Sequence, residues 1–150
     1  MELIEIKGNL FDEKTFAGDV YVHCISADFA MGKGIAREFC RKYPVFSYQK
    51  TALRDYYLKN PNGVFLVRID DILIANLVTK EKYFNKPTYA SLKKSLRACS
   101  DVLSEHGLPV KRLIMPKIGC GLDRLDWSCV KPLIEDVFSD TDYKILVFYL

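Results

Sequence analysis

One short apolar run constrains this chain more than any other feature. Val20-Tyr21-Val22-His23-Cys24-Ile25 is almost unbroken in its hydrophobicity. A strand with that composition has no face for water, so it must be covered on both sides. The rest of the chain must therefore supply neighbouring strands and two layers of cover.

Both are legible. Residues 3–7 read as a short strand closed by Gly8-Asn9, and residues 112–115 as one that Pro116 terminates. Residues 64–69 and 72–78 read as two strands separated only by Asp70-Asp71, which predicts a tight antiparallel hairpin. Residues 144–149 give a last strand. Helical spacing follows Gly34, with Ile35, Phe39 and Cys40 on one face until Pro44 ends it. Phe46, Leu53, Tyr56 and Tyr57 fit a second helix before the Asn60-Pro61-Asn62-Gly63 turn. Leu92, Leu96, Cys99 and Leu103 define a long amphipathic helix over 88–106, capped by Thr88 and stopped by Gly107. Residues 127–138 read as a helix whose start Pro132 delays or whose axis it kinks. Strands alternating with helices predict an α/β fold with three α/β/α layers and a mixed, six-stranded sheet, formed by residues 1–150 as one domain.

Composition narrows the setting. A chain of 150 residues, 49% hydrophobic, can bury a core, and a net charge of +3 does not demand a nucleic-acid partner. The five cysteines are odd in number and form no Cys-x-x-Cys pair, and there are only two histidines. Free thiols in a reducing compartment are expected, and a zinc site has few possible ligands. The N-terminus has no signal-peptide pattern and no run approaches transmembrane length. The expectation is a soluble intracellular protein, cytoplasmic or nuclear.

Two glycine-bearing loops each follow a buried strand: Ser26 to Ala36, containing Met31-Gly32-Lys33-Gly34, and Pro116 to Arg124, containing Gly119-Cys120-Gly121. Glycine lets backbone approach a ligand, and helix N-termini offer free N–H groups to anions. At the carboxyl edge of one sheet, two such loops can clasp a diphosphate. Each alone is equally readable as a turn. Neither matches the nucleoside-triphosphate P-loop or the Gly-x-Gly-x-x-Gly dinucleotide fingerprint, which removes both of those classes.

Taken together, His23-Cys24-Ile25-Ser26, Met31-Gly32-x-Gly34-Ile35-Ala36 and Pro116-x-Ile118-Gly119-Cys120-Gly121-Leu122-Asp123-Arg124-Leu125-x-Trp127 resemble the macrodomain family. The resemblance is to its terminal ADP-ribose protein glycohydrolase branch in particular. Leu77-x-Thr79-Lys80 and Lys86-Pro87-Thr88-Tyr89 extend it, so that it covers nearly the whole chain. It implies ADP-ribose in a surface cleft and hydrolysis of ADP-ribose from ester-linked acidic side chains. It also implies related action on O-acetyl-ADP-ribose or ADP-ribosylated nucleic acid, with no metal or organic cofactor. Mono-ADP-ribosylated proteins are the implied partners, and a monomer with no membrane association is expected.

The same resemblance assigns residues. Lys80 matches a lysine that attacks the anomeric carbon of the distal ribose, and Asp123 an aspartate that acts as acid/base and resolves the adduct. An attacking amine must be neutral, which burial or a nearby cation favours. Ligand-contacting positions are Asn9, Leu10, Ser26, Met31, Gly32, Gly34, Ile35, Ala36, Lys117, Ile118, Gly119, Cys120, Gly121, Leu122 and Leu150. Asn9 stands where the family usually has an aspartate for the adenine amino group, so adenine recognition is expected to be weaker or relaxed. Plainer readings stand beside these. Without the resemblance, Lys80 reads as a solvated lysine, Asp123 as a helix cap or a partner of Arg124, Ser26 as a local turn, and Leu10 and Leu150 as packing. Cys120 is given no nucleophilic role. Two further functions share the scaffold: a non-catalytic ADP-ribose reader and a hydrolase of ADP-ribosylated nucleic acid.

Overall fold

The computed structural model describes every residue except His106 and Leu108. Six strands, β1 (Glu2–Lys7), β2 (Asp19–Ser26), β3 (Val64–Ile69), β4 (Ile72–Lys80), β5 (Arg112–Pro116) and β6 (Lys144–Tyr149), form one sheet in the order β1-β6-β5-β2-β4-β3. All neighbours are parallel except β3 and β4, the hairpin, whose Asp70 turns the chain at φ +54°. The helices are α1 (Gly34–Lys42), α2 (Val45–Tyr48), α3 (Lys50–Lys59), α4 (Tyr89–Glu105) and α5 (Trp127–Val137).

Strand alternation sorts the core into two halves. Val20 and Val22 of β2, Leu73, Ala75 and Leu77 of β4, Leu113 and Met115 of β5, and Ile145 and Val147 of β6 face α4 and α5. Those helices answer with Leu92, Leu96, Cys99 and Leu103, and with Val130 and Ile134. The intervening residues, Tyr21, Ile25, Ile74, Ile114, Leu146 and Phe148, face the other way, onto Ala36, Phe39, Phe46 and Tyr57 of α1–α3. Burying each such side chain stabilises the fold by about 1.5–3 kcal/mol, which is why the strands in mid-sheet carry so little polarity.

Local departures from the sequence reading have simple causes. Residues 45–60 form two helices, because Gln49 leaves helical geometry at φ −116°, ψ 19°. Tyr56 consequently points outward at 71% exposure rather than joining the apolar face. In α1 it is Ala36, with Phe39, that is buried, while Ile35 is only half-buried. Thr88 caps α4, accepting from the Ser91 amide at 3.0 Å. The described helix ends at Glu105, and His106, where the sequence pattern ended, lies outside the described residues. Pro132 does not delay α5, which starts at Trp127 under an Asp126 cap. A 3-10 turn, Leu10–Asp12, went unforeseen; Asn9 caps it by accepting from the Phe11 amide at 2.9 Å.

His23 is one of the few polar side chains in the sheet interior. It is fully buried, stacked on Phe39, with Nε2 2.6 Å from Asn76 Oδ1. Asn76 in turn donates to the Phe65 carbonyl at 2.9 Å, so its oxygen is the acceptor and His23 Nε2 carries the proton. Nδ1 has no partner. Burial lowers the imidazole from its ordinary value to about 4, against the smaller opposing effect of the Asn76 bond. The folded state therefore rejects a proton that the unfolded chain takes up below the ordinary histidine value. Stability is full above pH 6.5 and declines as pH falls toward 4, by about 2 kcal/mol at pH 5. Urea denaturation at pH 7 and pH 5 checks this, and a His23→Gln variant should show a flatter profile over the same window.

Candidate active site

Because β5, β2 and β4 run parallel and side by side, their last residues, Pro116, Ser26 and Lys80, end at one edge of the sheet. A bulge between Ile25 and Ser26 brings Ser26 opposite Lys80. The pairing then continues past the strands, with the Ala27 amide donating to the Lys80 carbonyl at 2.9 Å and the Asp28 amide to Glu81 at 3.2 Å. Lys80 is thus the final residue of β4, not a residue beyond it.

The two glycine-bearing loops rise from this edge. Both hold left-handed backbone: Phe29, Met31 and Gly34 in the first, Gly119 and Arg124 in the second. Such conformations are costly for ordinary residues, and burial of the Phe29 and Met31 side chains offsets the cost in the first loop. Lys50 also ties this loop down, donating to the Ala30 carbonyl at 2.8 Å. Gly34 lies close beneath the second loop, where an added methyl would sit 3.3 Å from Leu122 Cδ1. At Gly119 the same methyl would meet Leu125 Cδ1 at 2.9 Å, at φ +72°, so the position admits little but glycine.

Lys80 and Asp123 meet where the second loop crosses the end of β4. Lys80 Nζ donates to Asp123 Oδ1 at 2.7 Å, and each side chain is only 14% exposed. A proton can pass directly between these atoms. The group against the Lys80 amine is a carboxylate rather than a second cation. Lys86 turns to the Leu122 carbonyl at 2.7 Å, and Lys82 is exposed. Asp123 caps no helix, since Asp126 caps α5, and its partner is Lys80 rather than Arg124. Beneath the pair lies the Cys24 thiol, pushed up to about 12 by burial first and by the Asp123 charge second. Cys120 is raised to about 11, again by burial. Neither thiol is a ready nucleophile.

The other sequence-selected positions divide. Gly121 faces open space, an added methyl at Gly32 would meet only the Ala30 carbonyl at 3.9 Å, Leu122 is exposed, and Leu150 is 94% exposed. Leu10, Met31, Ala36 and Ile118 have buried side chains, so only their backbone can meet a ligand. Ser26 is buried and bonds to the Asp28 carboxylate. The Asn9 oxygen is engaged by the Phe11 amide, and Asn9 is a helix cap as well as an edge residue. Lys117 lies over the rings of Tyr149, at 4.6 Å, and Trp127, at 5.5 Å. Among the described residues no group of three His, Cys, Asp or Glu is placed to hold a metal ion, and no helix is long and apolar enough to cross a membrane.

Sequence reasoning missed Asp28. Its carboxylate accepts from Ser26 Oγ, from the Ala30 amide at 3.2 Å and from the Tyr83 amide at 3.0 Å. Partial burial works to raise its pKa, but these three donors prevail and hold it below the usual aspartate value. It fastens the first loop to the segment that follows Lys80.

The chain belongs to the macrodomain family. It is 42% identical over 146 residues to the human protein named ADP-ribose glycohydrolase OARD1, covering 97% of this chain and 90% of that one. The Bos taurus protein of the same name is 41% identical over 145 residues, with the same coverage. Among solved structures, the macrodomain of Thermus aquaticus DarG superposes with a TM-score of 0.82 at 21% identity, covering 99% of this chain and 98% of that one. Thermosipho africanus DarTG, solved in complex with ADP-ribose, gives 0.79 at 19% identity over 98% of this chain and 41% of that one. No protein-family model matches the chain.

Asp28→Ala should leave the sheet intact and free the segment after Lys80. Losing an acceptor for the Tyr83 amide is worth about 1–1.5 kcal/mol, or roughly tenfold in local opening. Hydrogen exchange at the Tyr83 amide should accelerate by that factor, while amides of β2 and β4 keep their protection.

Proposed function

We propose that this chain, a single macrodomain acting as a monomer, is a hydrolase that releases ADP-ribose from ester-linked acidic side chains of proteins. The observation that supports this most is the 2.7 Å contact between Lys80 and Asp123 at the mouth of the two loops. The names of the human and bovine relatives point the same way.

The backbone of residues 31–36 and 117–122 receives the pyrophosphate, where amide donors and the opening of α1 favour an anion. The distal ribose then lies against Lys80 and Asp123. Asp123 takes a proton from the Lys80 ammonium, and the freed amine attacks the anomeric carbon. The C–O ester bond breaks and its electron pair leaves on the acceptor carboxylate. Asp123 next directs water to the same carbon. The C–N bond breaks, and lysine recovers its proton as ADP-ribose departs. Ser26 and Asp28 position the first loop, and no step calls for a metal or organic cofactor. O-acetyl-ADP-ribose acetylated at the anomeric oxygen carries the same ester bond and is a substrate on this reading.

A substrate panel tests it: glutamate-linked mono-ADP-ribosylated protein, ADP-ribosylated DNA and O-acetyl-ADP-ribose, each with wild type, Lys80→Ala and Asp123→Ala. Wild type should release ADP-ribose from the protein ester. Lys80→Ala should still bind ADP-ribose and lose turnover by about a thousandfold or more, the scale of losing a nucleophile. Normal turnover by Lys80→Ala would remove the covalent route. Comparable activity in Asp123→Ala would remove the acid/base role. Binding without release by wild type would make the protein a reader, and release from DNA alone would move the substrate class to nucleic acid.

A further inference from the structure

The glycine loops occupy the β5–β2 side of Lys80. On its other side, toward β4 and β3, the sheet edge opens into a cavity of about 900 Å³. Its walls are Arg54, Asp55, Tyr57 and Leu58 of α3, the Pro61-Asn62-Gly63 turn, the end of β4 with Glu81 and Lys82, and Ser91, Lys94 and Ser95 of α4. Lys80 is part of this lining, but none of residues 31–36 or 117–122 is. The catalytic lysine thus stands between two compartments, and the ADP-ribose reading uses only one of them.

The charges in the second compartment are unevenly engaged. Arg54 pairs with Asp55 at 3.2 Å, Asp28 holds Ser26 and two amides, and Lys80 holds Asp123. Lys82 and Lys94 are exposed and have no carboxylate partner among the described residues. Glu81 is exposed, and Asp28 keeps its charge, since its donors are neutral and Lys82 acts on it electrostatically. Among the described residues, Lys94 on α4 is the lining cation with no acid engaged, so an anionic guest is favoured at that end of the cavity. Leu58 and Val78 add apolar surface. Among the described residues no aromatic face is offered for stacking in the cavity: Tyr57 is buried, with its hydroxyl turned to the Gly63 amide, and the exposed Tyr83 and Phe84 pack edge-to-face on each other outside the lining. Stacking platforms are what single-stranded nucleic acid requires, whereas a mixed apolar and cationic hollow of this size suits a short acidic peptide.

We propose that this cavity is the acceptor site: it holds the polypeptide flanking the modified carboxylate, with Lys82 and Lys94 facing its acidic groups. The proposal rests on the hydrolase reading, which places the scissile bond at Lys80 and therefore the leaving group beyond it.

The test compares two esters with the same reacting bond: an acidic peptide carrying glutamate-linked ADP-ribose, and O-acetyl-ADP-ribose with its acetyl group on the anomeric oxygen, which has no flank. With Lys94→Glu, and with Lys82→Glu added, kcat/KM for the peptide should fall about tenfold or more. The rate on O-acetyl-ADP-ribose and the affinity for free ADP-ribose should stay within about twofold. Equal losses on both esters would show that the lysines act through the catalytic pair, and no loss on either would show an idle cavity. A loss confined to an ADP-ribosylated oligonucleotide would assign the cavity to nucleic acid. Each of these three results overturns the proposal. Should wild type cleave neither ester, the hydrolase reading fails by itself and the cavity is read from binding. Tighter binding of the peptide conjugate than of ADP-ribose, abolished by Lys94→Glu, sustains the acceptor site, and equal binding overturns it.

Discussion

The side-by-side parallel run of β5, β2 and β4 is the constraint on which everything else depends. Parallel strands end at one edge; β4 and β5 leave it by helical crossovers through α4 and α5, while β2 leads through α1–α3 into β3, which starts at the same edge. Three strand ends within two sheet spacings therefore deliver Ser26, Lys80 and Pro116, with their loops, to one place. Hydrophobic burial on both faces holds the strands in register, and the bulge at Ile25 and Ser26 adjusts the last pairing. At the opposite edge, buried Asp19 of β2 receives two hydrogen bonds from Arg112 of β5, at 2.8 and 2.7 Å. The pair locks the starts of the same strands whose ends carry the site.

Polar contacts at the functional edge bridge segments distant in sequence. Lys80 reaches Asp123, Lys86 reaches the Leu122 carbonyl, and Asp28 reaches the Tyr83 amide. Loops usually sample many conformations. Here three cross-links and the buried Phe29 and Met31 fix them around a common point. Preorganisation of this kind lowers the ordering cost of ligand binding.

Much of this was legible in the sequence, for reasons that differ by element. The apolar run at 20–25 and the Leu92-Leu96-Cys99-Leu103 stripe are products of burial, and burial writes a period into sequence. The hairpin at Asp70-Asp71 was legible from its turn length. The split at Gln49 and the outward Tyr56 were not, because one residue's backbone angles reset the helical phase without a proline or glycine to mark it. Candidate site residues came from a resemblance in motif, which names positions but not orientations. Met31 and Ile118 fall in those motifs, and Leu10 was matched outside them, yet all three side chains serve the core. Asp28 escaped notice because its role is set by an amide 55 residues away. The cavity beside Lys80 has no motif at all; it is assembled from α3, β4 and α4.

The most direct measurement is a crystal structure of Lys80→Ala with ADP-ribose. The pyrophosphate should lie between residues 31–36 and 117–122, and the anomeric carbon beside Asp123 and the vacated position 80, facing the cavity toward β3. Ligand density elsewhere, or a distal ribose turned away from Asp123, would contradict this placement.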